Sequence, residues 1–176
     1  MKRSLDEEFM TIALDEARKS YERNDFPVGA VLVIDGILVG KGNNTQFTRQ
    51  DWYSHAESQL IGKHASEIKK ASKQLKSIHL YTTLEPCLMC LGTSVMNRIS
   101  RIIYACPDPF GGVCGMKPPT DWYEKKWPSI EHGILKDKSY NYLISYMISR
   151  KDWEDVLQKF ETMGEKSNVS YQNNRK

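Results

Sequence analysis

His55-Ala56-Glu57 and, farther along, Glu85-Pro86-Cys87-Leu88-Met89-Cys90 are the stretches that decide how this chain is read. One neutral imidazole and two thiolates bind zinc well and leave the fourth tetrahedral position open to water. A carboxylate two residues past the histidine can serve that water as a base. Cys87 and Cys90, at i and i+3, share one face of a helix that Pro86 can open, and the positive end of its dipole favours the thiolates that zinc requires. Two other uses stay open at this point. A redox Cys-x-x-Cys would leave His55 and Glu57 without a role. A closed structural zinc site would draw its fourth ligand from His64, His79, His132 or Cys114.

Outward from this core, the N-terminal side carries a capping box, Ser4 with Glu7. Leu5, Phe9, Ile12, Ala13 and Ala17 then recur at helical spacing, so residues 4–23 read as an amphipathic helix. Strands over 28–34 and 37–40 flank Asp35-Gly36, a two-residue hairpin signal. A helix is expected from His55 to about Lys73, its lysines 69, 70, 73 and 76 forming a solvated face. A short buried strand follows over 77–82, and further strands over 99–105 and 130–135. A Pro/Gly-rich loop fills 106–129, and a long helix is expected over 139–163. This alternation implies one three-layer α/β domain over 1–163, with the ligand residues at the N-terminal ends of two helices. From Gly164 the sequence is polar, and 164–176 is expected to be a disordered tail.

Five stretches carry a resemblance. They are Phe26 to Val33 (FPVGAVLV), Gly40 to Asn44 (GKGNN), His55 to Glu57, Thr83 to Cys90 (TLEPCLMC) and Arg98 to Gly112 (RISRIIYACPDPFGG). In this order and at these gaps the chain resembles the cytidine-deaminase superfamily, and within it the branch of bacterial tRNA adenosine deaminases and guanine deaminases. The resemblance implies an α/β/α sandwich with a central five-stranded mixed sheet and one zinc per chain on His55, Cys87 and Cys90. It implies Glu57 as the catalytic acid–base group of a hydrolytic deamination that releases ammonia. It also places a substrate-contacting Asn at Asn44, whose side-chain amide can donate and accept; Asn44 beside Asn43 and Gly42 can equally be a turn former. A homodimer is a further expectation from the family.

Composition sets the bounds. With 176 residues, 40% of them hydrophobic and 27% charged, the chain can bury a core of its own. It has no apolar run of membrane-spanning length, and MKRSLDEEF is unlike a secretory signal. Four cysteines, two at ligand spacing, point to a reducing, cytoplasmic setting, with Cys106 and Cys114 as buried small side chains. A net charge of +3 permits phosphate contact without announcing it.

Departures from the resembled enzymes bear on substrate. Where those enzymes have a small, proline-containing segment, this chain has Asp51-Trp52-Tyr53-Ser54, whose two aromatics can reshape a pocket mouth. Trp122, Tyr123 and Trp127 in the divergent loop read either as a lid that stacks on a base or as packing of a long loop onto the core. After Arg150 and Lys151 come Asp152, Glu154, Asp155 and Glu161, a poor face for RNA. The residues therefore favour a free purine or pyrimidine base, nucleoside or nucleotide as substrate, with tRNA adenosine as the alternative. A zinc-stabilised binding module without catalysis is the rival from another class, and Glu57 argues against it.

Overall fold

The computed structural model describes residues 4–150 together with 155, 156, 158 and 162. In chain order the elements are α1 (Leu5–Glu22), β1 (Gly29–Ile34), β2 (Ile37–Asn43), α2 (Gln46–Arg49), α3 (Ala56–Lys63), α4 (Ala65–Lys73), β3 (Ile78–Leu84), α5 (Leu88–Met96), β4 (Arg101–Cys106), α6 (Asp121–Glu124), β5 (Ser129–His132) and α7 (Lys136–Ile148). The strands form a five-stranded sheet in the order β2-β1-β3-β4-β5. β1 runs antiparallel to both β2 and β3, while β3, β4 and β5 are mutually parallel, so the sheet is mixed as expected.

β1, every residue of which is buried, lies between two helical layers. Its even positions, Ala30, Leu32 and Ile34, join Leu60, Ile61 and Ile68 of α3 and α4 in the larger core. Its odd positions, Val31 and Val33, join Met10 and Ala13 of α1 in the second core. This two-sided burial is why the central strands read as continuous apolar runs rather than alternating ones. α7 lies beside α1 and reaches β3 and β4. Its first turn is tied down by Ser139, whose hydroxyl donates to the Thr83 carbonyl at 2.5 Å.

Local chemistry sets the ends of these elements. The backbone N–H of Glu7 donates to Ser4 Oγ at 3.2 Å, and Asp6, Glu7 and Glu8 place negative charge in the first turn of α1. Ser4→Ala should lower stability by about 1 kcal/mol. A urea midpoint equal to that of the wild type would show that the cap contributes nothing. The β1–β2 turn holds Asp35 at φ 49° and Gly36 at φ 76°, the positive pair that a tight hairpin matched to strand twist requires.

Several boundaries differ from the sequence reading: β3 runs on to Leu84, β4 spans Arg101–Cys106, β5 stops at His132 rather than 135, and the short helices α2 and α6 stand where loops were expected. The helix expected from His55 to Lys73 breaks at His64 (φ −109°, ψ 21°), because α3 packs on β1 and β2 whereas Ile68 and Ala71 of α4 must turn to reach the sheet near β3. β2 continues to Asn43, since its pairing with β1 extends to Gly29. α7 begins at Lys136 rather than 139 and ends at Ile148, capped by Ser149, rather than running unbroken to Met163; most of 151–163, and the tail from Gly164, lie outside the described residues. The four lysines 69, 70, 73 and 76 are exposed, as a solvated face should be.

Candidate metal centre and cavity

Two helix N-termini converge beside the ends of the parallel strands β3 and β4, the place where α/β sheets leave a crevice. His55 is the N-cap of α3 and Cys87 the N-cap of α5; both are extended in backbone, and neither side chain is spent on capping. Pro86 therefore stands before the cap rather than inside the helix, and Cys90 sits one turn further along. His55 Nδ1 is 3.7 Å from Cys87 Sγ and 3.5 Å from Cys90 Sγ, and the three ligand atoms lie within 4.8 Å of one another. A tetrahedral zinc with bonds of about 2.0–2.3 Å sets nitrogen and sulfur ligands roughly 3.5 Å apart, so the triad fits the ion. Among the described residues no second cluster of this kind forms, and His64, His79, His132 and Cys114 stand outside this one.

The electrostatics suit such a site. A hydrogen bond from the Cys90 thiol, opposed by burial and helped by His55, brings the Cys87 thiol down to about 4. The same bond and burial push Cys90 up. At His55 burial disfavours the cation, but the hydrogen bond to Cys87 and the nearby Glu57 charge outweigh it and raise the pKa. Helix dipoles add to the pull on anions at both N-termini.

Glu57, in the first turn of α3, is 3% exposed. Its Oε1 accepts from Thr82 Oγ1 of β3 at 3.2 Å, and its Oε2 accepts from Cys90 Sγ at 3.5 Å. Burial above all raises its pKa, which favours a carboxyl able to hold a proton. Asn44, 2% exposed, follows the end of β2. Its Oδ1 accepts from the Gln46 N–H at 3.0 Å and its Nδ2 donates to Gln46 Oε1 at 3.3 Å, so it forms the turn, and one amide hydrogen is left over.

His55, Glu57, Cys87 and Asn44 all line one cavity of about 600 Å³. Its walls also include Glu85, Asp108 and Phe110, which lie in the strings that carried the resemblance, and Arg150, none of which the sequence reading placed in the site. Glu85 shapes it most. Its carboxylate accepts from the Asp108 N–H at 3.1 Å and the Cys114 N–H at 2.9 Å, clamping both ends of the 108–114 loop. A Cβ on Gly112 would stand 2.5 Å from that carboxylate, so only glycine passes there. Glu85 lies inside the TLEPC string that carried the resemblance, and that was the available signal. Burial raises the pKa of Asp108.

The lid reading of the divergent loop finds no footing. Tyr123 and Trp127 pack against the main core, Trp122 carries Lys126 over its ring, and none of the three lines the cavity. Cys106 and Cys114 are buried. No helix among the described residues is long and apolar enough to cross a membrane.

Known proteins match this arrangement. The tRNA-specific adenosine deaminase of Bacillus subtilis is 37% identical over 110 residues, covering 62% of this chain and 67% of that protein. A solved structure from a study of A-to-I editing by tRNA:A34 deaminases superposes with a TM-score of 0.60 at 32% identity, over 77% of this chain and 99% of the other. Guanine deaminase from Nitrosomonas europaea, at 20% identity over 80% of this chain and 83% of its own, superposes with a TM-score of 0.60 and shares the fold. Residues 3–106 match the zinc-binding region of cytidine and deoxycytidylate deaminases, and the chain belongs to that family of zinc-dependent hydrolytic deaminases.

Proposed function

We propose that this deaminase converts adenosine to inosine in tRNA, with His55, Cys87 and Cys90 holding the zinc, Glu57 moving the protons and Asn44 contacting the base. The observation that carries the substrate is the 32% identity with a tRNA:A34 deaminase structure covered over 99% of its length. It outweighs the leaning toward a free base, nucleoside or nucleotide, which rested on the aromatic insertions and on acidic residues after Arg150 that fall, apart from Asp155, outside the described residues. Likeness to guanine deaminase at 20% identity speaks for the fold alone.

Held by His55, Cys87 and Cys90, zinc would supply the Lewis acidity that lowers the pKa of water from about 15.7 to about 7. Glu57 takes the water proton and delivers it to the ring nitrogen beside the carbon under attack. It then takes the second proton from the hydroxyl now on that carbon and passes it to the amine, so that the C–N bond breaks, a carbonyl remains and ammonia leaves. Thr82 holds Oε1, while Oε2, which accepts from the Cys90 thiol at 3.5 Å, would be released for this shuttle once Cys90 is a thiolate bound to the metal. Asn44 lines the cavity, and its remaining amide hydrogen is the one we assign to the base or sugar. We also expect a homodimer, and exposed Leu88 and Met96 on α5 offer apolar surface for it.

Ammonia release from an anticodon stem-loop, adenosine, adenine, guanine, cytidine and adenosine monophosphate tests the substrate. The stem-loop should be converted, and its affinity should fall steeply from low to physiological salt as phosphate contacts release counterions. Turnover of a free base, nucleoside or nucleotide with the stem-loop untouched would overturn the RNA reading.

A further inference from the structure

We infer that the cavity extends beyond the target base into a subsite for a neighbouring nucleotide, whose base stacks on Trp52 and whose phosphate meets Arg150. This rests on the RNA reading above. Trp52 is 86% exposed, yet it lines the same cavity as His55 and Glu57, so its ring stands at the mouth with a face open to a planar partner. The backbone around it is fastened. Asp51 Oδ1 accepts from the N–H of Tyr53 at 2.8 Å and of Ser54 at 2.6 Å, Oδ2 accepts from Ser54 Oγ at 2.7 Å, and Gln46 Nε2 donates to the Trp52 carbonyl at 3.5 Å. A large aromatic on a fixed turn that buries little of itself adds little to folding, but it is ready to stack without an ordering cost.

The rim continues to a cation. Phe47, next to Gln46, lies under the Arg150 guanidinium at 4.7 Å. Arg150 NH1 donates to Tyr146 Oη at 2.6 Å and to the Asn24 carbonyl at 3.4 Å, so the head group is held in place. Among the described residues Arg150 has no carboxylate partner, and it is the one lysine or arginine lining the cavity. Asp25 anchors the intervening turn, accepting from the Thr48 N–H at 2.9 Å and its hydroxyl at 2.6 Å. The acidic groups Glu57, Glu85, Cys87 and Asp108 line the walls around His55 and disfavour a phosphate anywhere but at the Arg150 end. A cavity of about 600 Å³ is of the size that houses ligands larger than one ring system.

The test measures affinity of the zinc-loaded protein for an adenosine-centred RNA trinucleotide, for adenosine and for adenosine 5′-monophosphate. Wild type should prefer the trinucleotide, and Trp52→Ala should weaken trinucleotide binding by about 5- to 150-fold, the range for one lost base–aromatic stack. Trp52→Phe should keep most of the preference. Arg150→Met should flatten the slope of log affinity against log salt by about 0.7, one phosphate on a single strand. A trinucleotide preference unchanged in Trp52→Ala overturns the subsite. So does monophosphate binding that equals trinucleotide binding, because Arg150 would then serve the substrate's own phosphate. Deamination of the stem-loop by wild type is scored separately. Failure there with the trinucleotide preference intact sinks the RNA reading and leaves the subsite standing.

Discussion

Zinc content is expected to fall to near zero in the Cys87→Ala variant. Losing one of three protein ligands leaves His55 and Cys90, and two ligands cannot hold the ion against dialysis. The affinity loss should exceed the roughly 10- to 100-fold that follows removal of a mere outer hydrogen-bond partner. The same change should lower the melting temperature, since metal binding to the native state is folding free energy and here it joins the starts of α3 and α5. Helix α5 itself should survive, because the bond from the Leu91 N–H to the Cys87 carbonyl, 2.8 Å long, is made by backbone. Metal analysis after dialysis and circular dichroism therefore separate ligand loss from unfolding. Full zinc occupancy in the variant would remove Cys87 from the ligand set.

Glu57→Gln should retain zinc and lose about 10²- to 10⁴-fold in kcat, the usual size of general acid–base catalysis. The amide is nearly isosteric and can still pair with Thr82 and Cys90, so the buried site should stay packed. What it cannot do is accept the water proton. Metal content and substrate affinity near those of the wild type, with collapsed turnover, is the expected signature. Turnover within a few-fold of wild type would show that another group moves the protons.

Much of this architecture was legible because each signal was local. The Ser4–Glu7 cap, the Asp35-Gly36 turn and the apolar runs of β1, β3 and β4 report on neighbours a few residues away, and all appear in the structure. The break at His64 was not legible. Residues 56–73 have helical composition throughout, and only the need to lay Leu60 and Ile68 on different strands splits them. The fate of the divergent loop was equally hidden. Exposed and buried aromatics look alike in a sequence, and it took the folded core to draw in Tyr123 and Trp127 while Trp122 turned to Lys126.

The sequence by itself determined the layered fold and pointed to the candidate triad and the acid two residues past His55, because period-2 or period-3.6 patterning and ligand-type residues at short spacing are written in the chain. Only the tertiary structure decided the walls of the cavity. Glu85, Asp108, Phe110 and Arg150 come from separate segments whose meeting depends on how β3, β4 and α7 end against one another. Packing also put Trp52 at the mouth and the loop aromatics on the core. Long-range contact between side chains leaves no periodic trace in the chain, and on this molecule it governs what can enter the site.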